Sequence, residues 1–270
     1  MTRAELISAI RAKRSYLCVG LDPDLDRLPP HIGRDAAGIL DFNTEIIAAT
    51  APSCVAYKPN TAFYEALGGA GWDCLAETVR RMPADVLRIA DAKRGDIGNT
   101  TRHYARAIFE TVGADAVTVN PYMGSDSIIP FLEHADKWVI VLAVTSNPSA
   151  EELEWHSDGQ LRLFEKVLSL ADRWGHPENL MFVAGATRPD ELKRVRSLVP
   201  DHFLLIPGVG AQGGDLTAVS EASLTEDAGI LVNSTRSIIY ASHGEDFATA
   251  AGREAGSMAR AMAGLLGTSR

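Results

Sequence analysis

The chain has 270 residues, a formal net charge of −9 and 23% charged residues. That acidity excludes general binding to nucleic acid or to an anionic membrane, which would repel the chain over its whole surface. The length suits one α/β barrel or two smaller domains, and a hydrophobic content of 46% is that of an ordinary soluble globular protein.

The first segment, Met1 to Arg14, is a mixed-charge amphipathic helix without the apolar centre of a signal peptide. No apolar run approaches the length of a membrane span. Eight apolar, β-branched segments follow at intervals: Tyr16–Leu21, Cys54–Tyr57, Val86–Ala90, Ala116–Asn120, Trp138–Val144, Leu180–Ala184, Phe203–Pro207 and Gly229–Asn233. Between them lie helical stripes over Gly38–Thr50, Trp72–Met82, Asn99–Val112, Ser125–Ala135, Gly159–Trp174, Asp215–Asp227 and Phe247–Leu266, with a capped start at Thr187-Arg188-Pro189-Asp190. Gly113 is placed to cap the third of these helices. No linker or low-complexity stretch divides the chain, so residues 1–270 are expected to form a single domain. Eight β-then-α units predict a TIM (β/α)8 barrel, with an open doubly wound sheet as the competitor. Either fold puts function at the C-terminal ends of the strands.

The three cysteines, Cys18, Cys54 and Cys74, form no Cys-x-x-Cys. Cys18 and Cys54 fall in predicted strands as buried thiols, which suits a reducing cytosol and a cytoplasmic location. The histidines have no metal-ligand spacing.

The strand ends carry the chemistry. Strand one ends in Leu21-Asp22-Pro23-Asp24-Leu25-Asp26. This is not a calcium loop, because Arg27 stands where glycine is needed and Gly33 where glutamate is needed. Asp22 is the strand-end acid, and Asp24 and Asp26 are expected in solvent. Strand two ends in Lys58-Pro59-Asn60, where proline is expected to stop the ladder and the lysine either serves a site or reaches out to water. Strand three runs into Asp91-Ala92-Lys93-Arg94-Gly95-Asp96. Alternation puts Asp91 and Lys93 on one face, and two carboxylates, Asp91 and Asp96, would keep the lysine charged in a dry site. A buried ion-pair network that only fixes the fold would look the same.

Strand five ends in Thr145-Ser146-Asn147-Pro148, polar groups suited to a heterocycle edge or to a plain turn. The acidic stretch Glu151 to Glu154 behind it is expected to be a solvated insertion. Strand seven ends in Pro207-Gly208-Val209-Gly210-Ala211-Gln212-Gly213-Gly214-Asp215 and strand eight in Asn233-Ser234-Thr235-Arg236. A lone Gly-x-Gly-x-x-Gly is weak evidence for a dinucleotide. Bare backbone N–H groups after strand seven and an arginine after strand eight do match the usual TIM-barrel phosphate position.

Asp91-x-Lys93-x-x-Asp96-Ile97, the glycine-rich loop and Arg236-Ser237-Ile238 together resemble the orotidine 5′-phosphate decarboxylase family. Lys58-Pro59-Asn60 and Thr145-Ser146-Asn147-Pro148 resemble its longer bacterial subgroup (type 2). The resemblance runs from about Leu17 to Tyr240. It implies a homodimeric barrel that converts orotidine 5′-monophosphate to UMP and CO2, the last step of de novo UMP biosynthesis, with no metal or organic cofactor. It implies that Lys93 protonates C6 and that Asp91 sits against the substrate carboxylate and holds Lys93. Asp96 and Thr100 would reach the neighbouring subunit's site. Asp22 and Lys58 would hold the ribose hydroxyls and extend the alternating charge network, Lys58 as a catalytic residue, and Ser146 would read the pyrimidine. Gln212, Gly213 and Arg236 would take the phosphate. Two alternatives stay open: a magnesium-dependent sister barrel acting on a sugar phosphate, and a phosphate-ligand sensor without catalysis. An aromatic residue often follows the phosphate-loop glutamine in this family, but here Asp215-Leu216-Thr217 follows.

Overall fold

The computed structural model of the chain describes residues 1–186, 189–209 and 215–267. Eight parallel strands close on themselves in chain order: β1 (Leu17–Leu21), β2 (Ala56–Pro59), β3 (Leu87–Arg94), β4 (Ala116–Val119), β5 (Trp138–Val144), β6 (Leu180–Ala184), β7 (Phe203–Pro207) and β8 (Ile230–Ser234). Pairing of β1 with β8, Leu17 opposite Val232 and Val19 opposite Ser234, settles closure in favour of the TIM barrel over the open sheet. The strands read as near-continuous apolar runs because both faces are covered, one by helices and one by the barrel interior. Each fully buried Val, Leu or Ile contributes roughly 1.5–3 kcal/mol against the entropy of ordering the chain.

The N-terminal helix (Arg3–Lys13) starts at a capping box between Thr2 and Glu5 and buries Leu6 and Ile10. The last helix (Phe247–Leu266) presents Ala250, Ala251 and Ala255 inward. Its first residue, Phe247, stacks on Phe42 of the helix Ala36–Thr50 with centroids 5.1 Å apart. All three cysteines are buried free thiols, although Cys54 lies before β2 and Cys74 on the helix Gly68–Arg81.

Several expected boundaries move. The helix after β3 runs from Gly98 to Arg106 and continues as a π-helical turn, Ala107–Val112, closed by left-handed Gly113. The segment 125–135 is a 3₁₀ turn, Ser125–Ser127, followed by one helical turn, Ile129–Leu132. The helix expected over Gly159–Trp174 spans Leu163–Ala171. The capped start at Thr187-Arg188 lies outside the described residues, and the helix it precedes covers Pro189–Leu198. β2 includes Lys58 and ends at Pro59, which still pairs with Leu21 of β1. β3 continues four residues beyond Ala90, which draws Asp91 and Lys93 into the strand itself.

Candidate active site

At the C-terminal end of β3 the ladder does not run straight. Its register with β4 shifts between Ala90 and Arg94, and Lys93 takes a left-handed backbone with φ 47°. A non-glycine residue there costs about 1–2 kcal/mol. The backbone N–H of Lys93 leaves the ladder and donates to Thr118 Oγ1 at 2.9 Å, and the Thr118 hydroxyl donates in turn to Asp91 Oδ1 at 2.9 Å. Lys93 and Asp91 do meet, but through a bulge held by β4 rather than by simple alternation. Nothing in the local sequence marked Thr118.

The charges of one chain stand in close order. Lys93 Nζ lies 2.6 Å from Asp91 Oδ1, and Lys58 Nζ lies 2.6 Å from Asp91 Oδ2. Within one chain a carboxylate therefore sits between two ammonium groups. Asp96 is not among them: its Oδ1 accepts from Ile97 N at 2.8 Å, and among the described residues it pairs with no lysine. Thr100 is exposed on the following helix.

Burial opposes ionisation of Asp91, yet Lys58 and Lys93 overcome it and hold the carboxyl well below the usual range. Burial would likewise discharge Lys58, but the Asp91 and Asp22 carboxylates outweigh it and raise its pKa. Asp22 is pushed up by burial, with Lys58 pulling the other way. Its Oδ1 accepts from Asn60 N at 3.2 Å, which fastens the end of β1 to the end of β2. Asn60 and Asp91 then pair as one further parallel bridge, so β1, β2 and β3 present Asp22, Lys58 and Asp91 in a row.

Beside this array is a cavity of about 470 Å³. Asp22, Lys58, Ser146 and Arg236, drawn from the ends of β1, β2, β5 and β8, all line it. So do two residues that had no place in the sequence expectation, Arg27 and Tyr240. Asp24, expected in solvent, also lines the cavity and caps the 3₁₀ turn Leu25–Arg27 by accepting from Asp26 N at 3.0 Å. Gln212 and Gly213 lie outside the described residues.

Close backbone packing forms the rim. A Cβ on Gly20 would stand 1.8 Å from Thr235 Oγ1, so only glycine lets β1 and the β8 loop approach. A Cβ on Gly185 would fall 3.1 Å from Ser146 Cα, which presses the end of β6 against the Ser146 backbone. The acidic insertion is not simply solvated. Glu154 Oε2 accepts from Thr145 N at 2.8 Å, and the Thr145 hydroxyl lies 2.7 Å from Oε1. Arg162 in turn donates through Nη1 to both carboxylate oxygens of Glu191 at 3.0 Å.

The fold and this mouth define the class: a TIM barrel with a charged cavity at the C-terminal ends of its strands. Comparison with known proteins agrees and narrows it. Residues 15–251 match the model of the orotidine 5′-phosphate decarboxylase / HUMPS family. An orotidine 5′-phosphate decarboxylase of Christiangramia forsetii is 49% identical over 269 residues, spanning 98% of this chain and 99% of its own. A namesake from Phocaeicola vulgatus is 49% identical over 260 residues, spanning 94% and 95%. The solved OMP decarboxylase of Leishmania donovani superposes with a TM-score of 0.83 at 37% identity, over 96% of this chain and 100% of that one. The chain belongs to the orotidine 5′-phosphate decarboxylase family and is a decarboxylase of that family.

Proposed function

We propose that the chain converts orotidine 5′-monophosphate to UMP and CO2 in pyrimidine biosynthesis, with Lys93 as the acid that protonates C6. The observation that carries this reading is the Lys58–Asp91–Lys93 array, with both ion pairs at 2.6 Å. As the C6–carboxylate bond breaks, its electron pair stays on C6 in the plane of the ring, where π delocalisation helps little. An ammonium fixed beside C6 stabilises that pair and then transfers a proton to it, and solvent reprotonates the lysine. Asp91, ionised between its lysines, faces the departing carboxylate and aims Lys93. Lys58 and Asp22 hold the ribose hydroxyls, and Ser146 reads the pyrimidine edge. Arg236, with Gln212 and Gly213 of the strand-seven loop, takes the phosphate. Binding energy gathered there, away from C6, can drive closure of the site.

The unit that acts is a homodimer. Asp96 and Thr100 leave the cavity of their own chain and point the proposal to the neighbour's, where Asp96 extends the charge array and Thr100 contacts the nucleotide. The experiment is direct: protein treated with a chelator should consume the absorbance of orotidine 5′-monophosphate and release one CO2 per UMP. Activity lost to the chelator and restored by magnesium would favour a sister barrel. Nucleotide binding with no CO2, together with tolerance of Lys93→Ala, would favour a sensor.

A further inference from the structure

Arg27 ends the 3₁₀ turn after β1, half-buried at the wall of the 470 Å³ cavity. Its guanidinium lies over the Tyr240 ring, 4.0 Å from the centroid, so among the described residues it is partnered by an aromatic face instead of a carboxylate. Such stacking orients the planar group and leaves its N–H edge free for an anion.

Tyr240 is itself firmly placed. Its hydroxyl accepts from Asp24 N at 2.7 Å and donates to Asp22 O at 3.2 Å, and its ring stacks on Phe42 at 6.2 Å. It also ends the helical turn Arg236–Ile239, whose first residue is the other cavity arginine. Tyr240 thus ties the β1 loop to the β8 loop and presents two guanidinium groups, from opposite ends of the sequence, to one space.

A phosphate monoester near neutral pH carries about −1.5 to −2 charges, and a single arginine neutralises only part of that. We propose that Arg27 is a second phosphate-binding arginine, pre-oriented by Tyr240 to act with Arg236 on the 5′-phosphate. This rests on the reading of the cavity as a nucleotide monophosphate site. Recognition through Arg27 is charge-assisted and bidentate, so its loss should be felt by phosphorylated ligands alone.

The experiment measures binding of UMP and of uridine to the intact protein and to its Arg27→Met and Arg27→Lys variants. Arg27 lies in a surface loop and its variants keep the barrel core, which melting curves check. Arg27→Met should weaken UMP binding about tenfold or more and leave uridine unchanged. Arg27→Lys should restore part of the preference for UMP, as a purely steric side chain would not. A wild-type protein that binds UMP no better than uridine would overturn this assignment and the underlying site reading together. A clear wild-type preference for UMP, with Arg27→Met weakening both ligands equally or neither, would overturn the Arg27 assignment alone.

Discussion

Lys58 is the cation on which the unliganded mouth depends, and Lys58→Met isolates its contribution. The side chain is 6% exposed and its ammonium lies 2.6 Å from Asp91, itself 10% exposed. At that distance and an effective dielectric of 20 the attraction is about 6 kcal/mol before desolvation is subtracted. Removing one partner of a buried pair costs roughly 3–5 kcal/mol. Here Lys93 and Thr118 still serve Asp91, which places the expected loss near 3 kcal/mol, or about 5–10 °C in Tm for a chain of this size. The loss should depend on pH. Without Lys58, Asp22 and Asp91 are left as two buried carboxylates with less cation between them, and their pKa values rise toward or above those of the unfolded chain. Protonation then relieves the variant, whereas in the wild type it discharges an ion pair. The stability gap should therefore be widest above about pH 6 and shrink as the pH falls toward 4. Urea unfolding of both proteins from pH 4 to 8 measures it. A gap under 1 kcal/mol, or one that does not change with pH, would refute the Coulombic account of the array.

Three further outcomes are expected. Mixed Lys93→Ala and Asp96→Ala subunits should recover about a quarter of wild-type decarboxylation, because half the dimers are heterodimers with one intact site of two; no recovery in verified heterodimers would count against the shared site. His202 is buried against Phe182, and its pKa is held down to about 4 by desolvation, only partly offset by Asp172 at 3.8 Å. The unfolded chain binds that proton near 6.5, so the stability is full above about 6.5 and falls by about 2 kcal/mol by pH 5; His202→Leu should flatten the unfolding free energy over that interval relative to wild type. Glu154→Ala should release the Thr145 backbone and weaken UMP binding several-fold through its base, while ribose 5-phosphate binding stays unchanged and Glu154→Gln keeps most of the affinity; equal losses for both ligands would show a general collapse of the loop.

What could be read from the sequence divides along a physical line. The apolar strand runs and their endings are local signals, so the barrel and the placement of Asp22, Lys58, Ser146 and Arg236 at one mouth were legible before any coordinates. Strand ends shift where apolarity is a poor guide: β3 goes on through Asp91 and Lys93 because Thr118 of β4 and Asn120 just after it supply the hydrogen bonds that the residue types did not announce. Thr118, Glu154 and Arg27 act through partners 25, 9 and 213 residues away, and none sits in a spacing that a linear pattern detects. The order of charges is likewise set across strands and is not readable from local spacing alone. In the sequence Lys93 has Asp91 and Asp96 as its near neighbours, whereas in space the second partner of Asp91 is Lys58, brought by an adjacent strand. Within one chain Asp22, Lys58, Asp91 and Lys93 already alternate in sign, and Lys93 is the open end of that row. The complementation of Lys93→Ala by Asp96→Ala tests whether a neighbour's Asp96 meets that open end, and with it the state of assembly.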